Sequence, residues 1–157
     1  RGPAQLDGAW AAVSGEGETR GLLPLHKLSQ WLCYSLIHPL QVAGLEVSEL
    51  SELTGLAEYR NGGLFIDSGV LVPKRPEIVT QPHEVGSELV VEWRGLTVAL
   101  LDRMLPLVQH ELGVTADALS LPAMLEGGSW AAGRALAAAR RADGSPPLSI
   151  VSDGTVF

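Results

Sequence analysis

The sequence has little cysteine and little positive charge, and each shortage excludes a class of protein. Cys33 is the single cysteine among 157 residues, so no internal disulfide can form and a cytoplasmic location is expected. Eleven lysines and arginines stand against 18 acidic residues, which gives a formal net charge of −7. Binding to nucleic-acid phosphates needs a basic stripe, so we expect no nucleic-acid partner.

Long apolar runs and metal-ligand patterns are also missing. No stretch of about eighteen uncharged apolar residues occurs, and Leu89–Leu101, which comes closest, is interrupted by Glu92 and Arg94. We therefore expect no membrane span. The four histidines are scattered without metal-ligand spacing, and the sequence contains no nucleotide-binding loop. It accordingly predicts neither a metal site nor a cofactor.

The residues that are present indicate a chain with a substantial core. Hydrophobic residues make up 46% and charged residues 18%, which excludes a disordered tail. The chain begins with Arg-Gly-Pro rather than methionine. We interpret residues 1–157 as a single domain or as the carboxy-terminal part of a larger domain. Residues 1–21 are expected to form a loop or a truncated element, and the missing amino-terminal part is an expected partner.

The first predicted helix runs from Pro24 to about Ile37, because proline suits the first helical turn. Pro39 is predicted to end or kink it. One side of this helix carries Leu28, Leu32 and Leu36. The opposite side carries three side chains that can hydrogen-bond, Lys27, Gln30 and Tyr34, within an arc of roughly 60°. We interpret these three either as ligand contacts or as a solvated face.

The middle of the chain gives weaker patterns. A short helix, capped by its first residue, is predicted over Ser48–Leu56. Residues 58–63 read as a polar turn, and residues 64–72 fit either a small hairpin or a helix that ends at Gly69. An exposed linker with three prolines is predicted for residues 73–82.

The longest predicted helix begins at a cap on Ser87 and reaches about Leu112, with a kink near Pro106 and a stop at Gly113. Because it is apolar on every side in its first half, we expect it to be central and buried.

The last third of the chain predicts one more helix and a small β element. Residues 127–129, Gly-Gly-Ser, read as a loop and cap that introduce an alanine-rich helix to about Arg141, or as an anion site formed by backbone N–H groups. Asp153-Gly154 between apolar pairs predicts a hairpin over residues 150–157. The predicted fold is therefore mainly α, a helical domain with a minor β hairpin.

Glu92 and Arg94 cannot pair with each other, since two positions on a helix are about 200° apart around its axis. A buried charge is costly unless a partner compensates it. Each is interpreted either as part of a structural ion pair or as part of a binding site. For Arg94 we expect a carboxylate partner, from Glu58, Asp67 or Asp153, or a ligand anion.

Five segments resemble the microbial uracil-catabolism protein family: Leu25–Leu32, Thr54–Gly63, Ser87–Arg94, Leu125–Arg134 and Ser152–Phe157. The resemblance runs from about residue 22 to the last residue, and family members are longer on the amino-terminal side. The family is tied to a route of uracil degradation that opens the ring and releases urea. The resemblance implies a role in breaking a ribosylurea-type intermediate.

A more distant resemblance is to the queuosine-salvage nucleosidase family, which cleaves a bond between a ribose carbon and a base. It is carried by Lys27 with Gln30, by Glu58 before Tyr59-Arg60, and by Gly86-Ser87 leading to Glu92, Arg94 and Thr97. The acid at Glu58 is Asp in that pattern, and a second Asp of the pattern is Ser35 here. The resemblance implies a helical fold related to that of DNA glycosylases.

Together these patterns predict an N-ribosyl hydrolase that acts on a ribosylurea-like nucleoside or nucleotide, with Glu58 as the catalytic carboxylate. On the residues alone, an ordinary helix cap is the favoured interpretation of Glu58, and a general base is the alternative. The predicted substrate contacts are Lys27, Gln30, Tyr34, Tyr59, Arg60, Glu92, Arg94 and Asp153. The alternative is a non-catalytic binding or scaffold subunit of the same pathway. Convergence of Lys27, Glu58 and Glu92 on one cavity would favour the enzyme.

A chain this rich in apolar residues should expose some of them when it stands alone. We predict that the isolated 157 residues associate or aggregate, as measured by sedimentation velocity. A monomer that unfolds cooperatively would contradict this prediction.

Overall fold

The computed structural model describes residues 4–6 and 25–151, and these are mainly helical, as predicted. The helices are α1 (Lys27–Val42), α2 (Tyr59–Asp67), α3 (Glu77–Thr80), α4 (Glu88–Leu112), α5 (Leu121–Met124) and α6 (Trp130–Arg140). The strands are β1 (Ala4–Leu6), β2 (Leu71–Pro73), β3 (Pro82–Glu84) and β4 (Ser149–Val151). A single 3-10 turn at Leu50–Glu52 and a π-helical turn at Leu125–Ser129 complete the described regular structure.

Within the described residues, the β structure consists of two parallel pairs, where the sequence predicted a hairpin. β1 pairs with β2, and β3 pairs with β4. Within residues 1–21, where a loop or truncated element was expected, residues 4–6 form β1. The hairpin predicted for residues 150–157 is wrong at its start, because β4 pairs with β3 there. Its turn lies outside the described residues.

Helix α4 forms where the sequence predicts it, and its ends show why. The Ser87 hydroxyl accepts a hydrogen bond from the Val90 N–H at the start, which satisfies one of the unpaired donors of the first turn. Gly113 ends the helix with φ 65°, a left-handed conformation that favours glycine. Trp93 in the first half is fully buried, whereas Leu107 in the second half is 66% exposed. The expectation of a central helix therefore holds for its first half alone.

Helix α2 packs against α4 so closely that only glycine fits at the contact. A Cβ on Gly62 would lie 2.7 Å from the Thr97 hydroxyl and 2.9 Å from the Trp93 indole. The Trp93 Nε1–H donates to the Gly62 carbonyl at 3.2 Å, so the buried indole N–H is satisfied by the backbone that it touches. This contact fixes α2 on the central helix.

Helix α6 crosses the other side of α2 at a second glycine. A Cβ on Gly133 would lie 2.2 Å from the carbonyl oxygen of Arg60. The end of α2 is tied to the residue after α6 by an ion pair, because Arg141 donates from both terminal nitrogens to the two carboxylate oxygens of Asp67, at 2.8 and 2.5 Å. Helix α2 is thus held between α4 and α6.

Helix α1 is longer than predicted and turns the opposite face inward. It continues through Pro39 to Val42, because the helical hydrogen bonds resume at once, with the Ala43 N–H donating to the Pro39 carbonyl at 3.0 Å. Leu28 and Leu32 on its apolar side are 60% and 56% exposed. Its contacts with the rest of the chain come instead from the polar side.

Three weaker predictions are corrected by the structure. In place of a helix over Ser48–Leu56 there is only the 3-10 turn, and the chain enters α2 in an extended, buried stretch at residues 55–57. The polar turn predicted at residues 58–63 is instead the start of α2 (Tyr59–Asp67), which also decides for the helix alternative over the hairpin at residues 64–67. The exposed linker predicted for residues 73–82 contains the short helix α3. Its Ile78 side chain is fully buried in the core, so the segment is not exposed throughout.

Residues 127–129 lie inside a continuous helical segment and do not form the predicted loop. The segment runs from α5 through the π-helical turn into α6, and the Trp130 N–H donates to the Leu125 carbonyl in the i→i+5 pattern of a π-helix. Across residues 25–151, none of the helices has both the length and the apolar character that crossing a membrane requires.

Glycines 127 and 133 make a matched pair for testing the packing of α6. Gly133→Ala should destabilise the protein by about 1–3 kcal/mol or more, because the new methyl group meets the Arg60 carbonyl. Gly127→Ala has open space around the new Cβ and should be neutral or stabilise by up to about 1 kcal/mol. Urea unfolding of both variants measures the difference, and equal stability would contradict the close packing.

Candidate functional site

A cavity of about 450 Å³ opens between α1, the start of α2 and the π-helical turn. Its wall combines acidic, basic, amide and aromatic side chains with three leucines. The lining residues are Lys27, Leu28, Trp31, Leu56, Glu58, Tyr59, Asn61, Leu125, Glu126 and Trp130. A concave, mostly apolar site with a few polar groups is the usual form of a small-molecule site.

Glu58 lies at the wall of this cavity as the N-cap of α2. Its Oε2 accepts hydrogen bonds from the backbone N–H groups of Arg60 at 2.8 Å and Asn61 at 3.2 Å. Burial raises the pKa of the Glu58 carboxyl above its ordinary value, and those two N–H groups and the charges of Lys27 and Arg60 offset part of the effect. The helix-cap and catalytic interpretations of Glu58 are therefore compatible, because the cap uses one carboxylate oxygen, Oε2.

The cap also explains how the sequence positions this carboxylate. The residue preceding α2 has extended backbone angles, φ −110° and ψ 138°, which turn its side chain back onto the first turn of the helix. Because α2 is fixed by Gly62 and Gly133, the Glu58 carboxylate is held against the helix N-terminus. That end of a helix favours negative charge.

Lys27 and Tyr59 join Glu58 at the cavity, as two of the predicted substrate contacts. Lys27 is the first residue of α1, and its charge lowers the pKa of the Glu58 carboxyl, against the larger effect of burial. Tyr59 follows Glu58 in the chain and stacks with the Arg60 guanidinium, whose Cζ is 4.7 Å from the ring centroid. The structure therefore brings together the predicted base, one cation and one aromatic ring.

Gln30 and Tyr34 support the position of α1 and are not part of the cavity wall. The Gln30 side-chain amide donates to the Thr54 hydroxyl at 2.9 Å and to the Gly55 carbonyl at 3.2 Å. The Tyr34 hydroxyl donates to the Thr54 carbonyl at 2.8 Å. Burial, followed by the nearby Asp102 carboxylate, raises the pKa of Tyr34 to about 12, so this phenol stays a donor. The polar side of α1 thus serves as its attachment.

Arg60 is directed to a backbone contact and does not line the cavity. Its Nη1 donates to the carbonyl oxygen of Gly144 at 2.8 Å, which joins the start of α2 to the loop after α6. It acts on the cavity through its neighbours, because its guanidinium stacks on Tyr59 and its charge lowers the pKa of Glu58 against the larger effect of burial.

Glu92 and Arg94 are buried in α4, 6% and 7% exposed, and neither lines the cavity. Arg94 donates to the carbonyl oxygen of Leu25, at the residue before the cap of α1. Of the carboxylates expected to pair with it, Asp67 is engaged by Arg141, and Asp153 lies outside the described residues. Two of the three residues expected to converge, Lys27 and Glu58, do so.

Sequence reasoning missed the residues contributed by α6 and the π-helical turn, and it missed Asn61 beside Glu58. The Asn61 side-chain oxygen accepts a hydrogen bond from the Ser129 hydroxyl at 2.9 Å, and both residues are buried. This bond links the floor of the cavity to the π-helical turn. Two adjacent glycines inside a helical pattern were the available signal, and they were interpreted as a loop.

Metal binding finds no support in the part of the chain that the structure describes. Among residues 25–151 there is no group of three or more His, Cys, Asp or Glu side chains placed to hold an ion. The charged and amide side chains that line the cavity are Lys27, Glu58, Asn61 and Glu126, beside three aromatic rings.

Comparison with known sequences identifies the family. Residues 4–157 match the family described as Protein of unknown function (DUF1688). The chain belongs to this family. It is 42% identical over 170 aligned residues to "Uracil catabolism protein 4" of Lachancea kluyveri, an alignment that covers 97% of this chain and 38% of that protein.

A second relative in fission yeast supports the same grouping. The chain is 48% identical over 139 residues to "Protein urg3" of Schizosaccharomyces pombe, covering 85% of this chain and 34% of that protein. The chain thus spans between a third and two-fifths of the length of these two relatives. The resemblance to the uracil-catabolism family is confirmed. No solved structure matches the chain, and the resemblance to the queuosine-salvage nucleosidases stays a prediction.

The raised pKa of Glu58 predicts a stability cost at neutral pH. A carboxyl with a higher pKa in the folded state binds more protons there than in the unfolded state, so its contribution to stability falls as pH rises through its titration. Glu58→Gln keeps an acceptor for the cap and removes the charge. Relative to this variant, the wild type should lose free energy of unfolding as pH rises above about 4.5, the ordinary pKa of a glutamate carboxyl.

Urea unfolding across that pH range measures the effect, with Glu111→Gln at the exposed end of α4 as the control. A wild-type protein that gains stability relative to Glu58→Gln as pH rises would show that the cap outweighs burial.

Proposed function

We propose that this protein acts in uracil catabolism as an N-ribosyl hydrolase, cleaving a ribosylurea-like nucleoside or nucleotide. The observation that carries the proposal is the Glu58 carboxylate. It is half-buried at the cavity wall, and its hydrogen bonds to the described part of the chain run through one oxygen. The other oxygen, Oε1, takes part in neither of these hydrogen bonds, and Glu58 lines the cavity. The pathway is taken from the name of the Lachancea kluyveri relative, "Uracil catabolism protein 4".

The proposed reaction adds water across the bond between the sugar and the leaving nitrogen. As that C–N bond breaks, positive charge develops on the anomeric carbon and the ring oxygen, and a neighbouring carboxylate stabilises it. Water forms the new C–O bond, and Glu58 accepts the proton that the water gives up. The leaving nitrogen takes up a proton, for which the Lys27 ammonium is a donor on the same cavity.

The surroundings of Glu58 suit a base better than an exposed carboxylate would. Burial raises its pKa, and a base with a pKa nearer to the working pH accepts a proton more readily. The two N–H groups on Oε2 hold the carboxylate in one orientation. A fixed base needs no reorganisation when charge develops in the transition state. Activity should accordingly require the ionised form of Glu58.

The remaining cavity residues supply contacts for a small polar substrate. The Asn61 side chain is held by the Ser129 hydroxyl at 2.9 Å, so its amide is oriented before any ligand arrives. Tyr59 and Asn61 bracket the first turn of α2 beside Glu58. These groups are of the kind that bind ribose hydroxyls, and they support a sugar placed over the start of α2.

Glu58→Gln in the full-length protein tests the catalytic role. We expect kcat for release of urea from ribosylurea to fall by about 10²-fold or more, because general-base catalysis contributes on that order, while Glu111→Gln keeps wild-type turnover. Thermal unfolding of Glu111→Gln should match that of the wild type, and Glu58→Gln should be at least as stable as the wild type, because the buried charge is removed. Unchanged turnover in Glu58→Gln would contradict the catalytic role of Glu58. Binding of ribosylurea without turnover by the wild type would instead identify a non-catalytic binding subunit.

A further inference from the structure

One aromatic side chain at the cavity is held by a cation from its own helix. The Arg134 guanidinium lies over the Trp130 ring, with Cζ 4.2 Å from the centroid. The two residues are four positions apart on α6, a spacing that places side chains on the same face. A guanidinium stacked on an indole fixes the rotamer of the ring through a cation–π interaction. Trp130 is nevertheless 40% exposed, so part of its surface is open.

The π-helical turn determines which way this ring faces. In an α-helix, residues five positions apart diverge by about 140° around the axis, so Leu125 and Trp130 would face different sides. The i→i+5 hydrogen bond between them widens the turn and brings the two positions toward alignment. Both residues line the cavity, together with Glu126. The wide turn therefore presents Trp130 to the same space as Glu58.

The two sides of the cavity differ in chemical character. The side formed by the start of α2 offers the Glu58 carboxylate and the Asn61 amide, which suit hydroxyl groups and developing charge. The side formed by the π-helical turn and α6 offers Leu125 and the flat Trp130 ring. A substrate with a polar sugar at one end and a planar conjugated group at the other matches this division.

We propose that Trp130, held by Arg134, stacks on the planar leaving group of the substrate and selects ligands that carry a ureido or similar conjugated group. The assignment rests on the function proposed above and extends it from the reacting carboxylate to the group that leaves. Trp130 contacts the ligand, and Arg134 acts as a positioning residue through the ring. With the leaving group on Trp130, the sugar end of the ligand falls toward Glu58.

Binding of two matched ligands separates stacking from catalysis. The first is carbocyclic ribosylurea, in which CH2 replaces the ring oxygen so that the sugar cannot develop the stabilised cation and is not hydrolysed. The second is the same carbocycle without its ureido group. Titration calorimetry on the full-length protein gives the Kd of each ligand and does not depend on turnover, so a failure of the Glu58 assignment leaves this measurement intact.

We expect the variants to lose affinity for the ureido ligand and to keep their affinity for the ligand without the ureido group. Trp130→Leu should raise the Kd of the ureido ligand by about fivefold or more, the range that stacking on an aromatic side chain gives, and leave the second ligand unchanged. Trp130→Phe should retain most of the affinity, because a ring remains. Arg134→Met should raise the Kd of the ureido ligand less than Trp130→Leu does, while Arg140→Met, on the same helix and exposed, should have no effect.

Equal losses for both ligands would overturn the proposal, because Trp130 would then serve the sugar or the fold. No loss in Trp130→Leu, or no binding of the ureido ligand to the wild type, would overturn it as well. If Trp130→Leu fails to fold, Arg134→Met is measured with the same two ligands, because Trp130→Phe keeps a ring and is expected to bind much as the wild type does. A ratio of the two Kd values in Arg134→Met identical to that of the wild type would then overturn the proposal.

Discussion

The structure depends on the contact between the backbone of α2 and the helices on either side of it. Gly62 lets the Trp93 indole reach the α2 backbone, and Gly133 lets α6 rest on the Arg60 carbonyl. Gly133 meets main-chain atoms of Arg60, and Gly62 meets the fully buried side chains of Trp93 and Thr97. Neither contact can move aside as a flexible exposed side chain can. The first turn of α2 is therefore held in a fixed position, which in turn fixes the positions of Glu58 and Asn61. Catalytic groups carried on such an element need little reorganisation.

Much of the helical framework could be predicted because its signals are local. Ser87 and Gly113 bound α4 by cap chemistry that depends on neighbouring residues alone. The orientation of α1 was not predictable in this way. Its pattern defines two faces, and burial of leucines is the usual outcome, yet the polar face carries the contacts through Gln30 and Tyr34. The face of α1 that turns inward is set by the hydrogen-bond acceptors of Thr54 and Gly55, which lie far from α1 in the sequence.

Part of the candidate site could be predicted from the charge of a residue and its place in the sequence, and part could not. Glu58 stood out as an acid at an element boundary, and it is at the cavity. Arg60 lies two positions away, yet its side chain leaves the site for the Gly144 carbonyl, because a long side chain follows tertiary contacts and not its neighbours in sequence. Trp130 was missed since its position depends on a wide helical turn, and a one-residue change in helical register leaves almost no trace in a hydrophobic pattern.

The ion pair between Asp67 and Arg141 joins residues 74 positions apart in the chain, and the bond from Arg60 to Gly144 spans 84. Leu148, near the end of the described chain, is fully buried among core residues from earlier elements. Contacts so distant in sequence carry a high loop-closure entropy and form slowly. On a translating ribosome, α2 and α4 would emerge long before the segment that covers them. The nascent chain therefore holds apolar surface of α2 and α4 open to solvent until residues 141–148 have been synthesised.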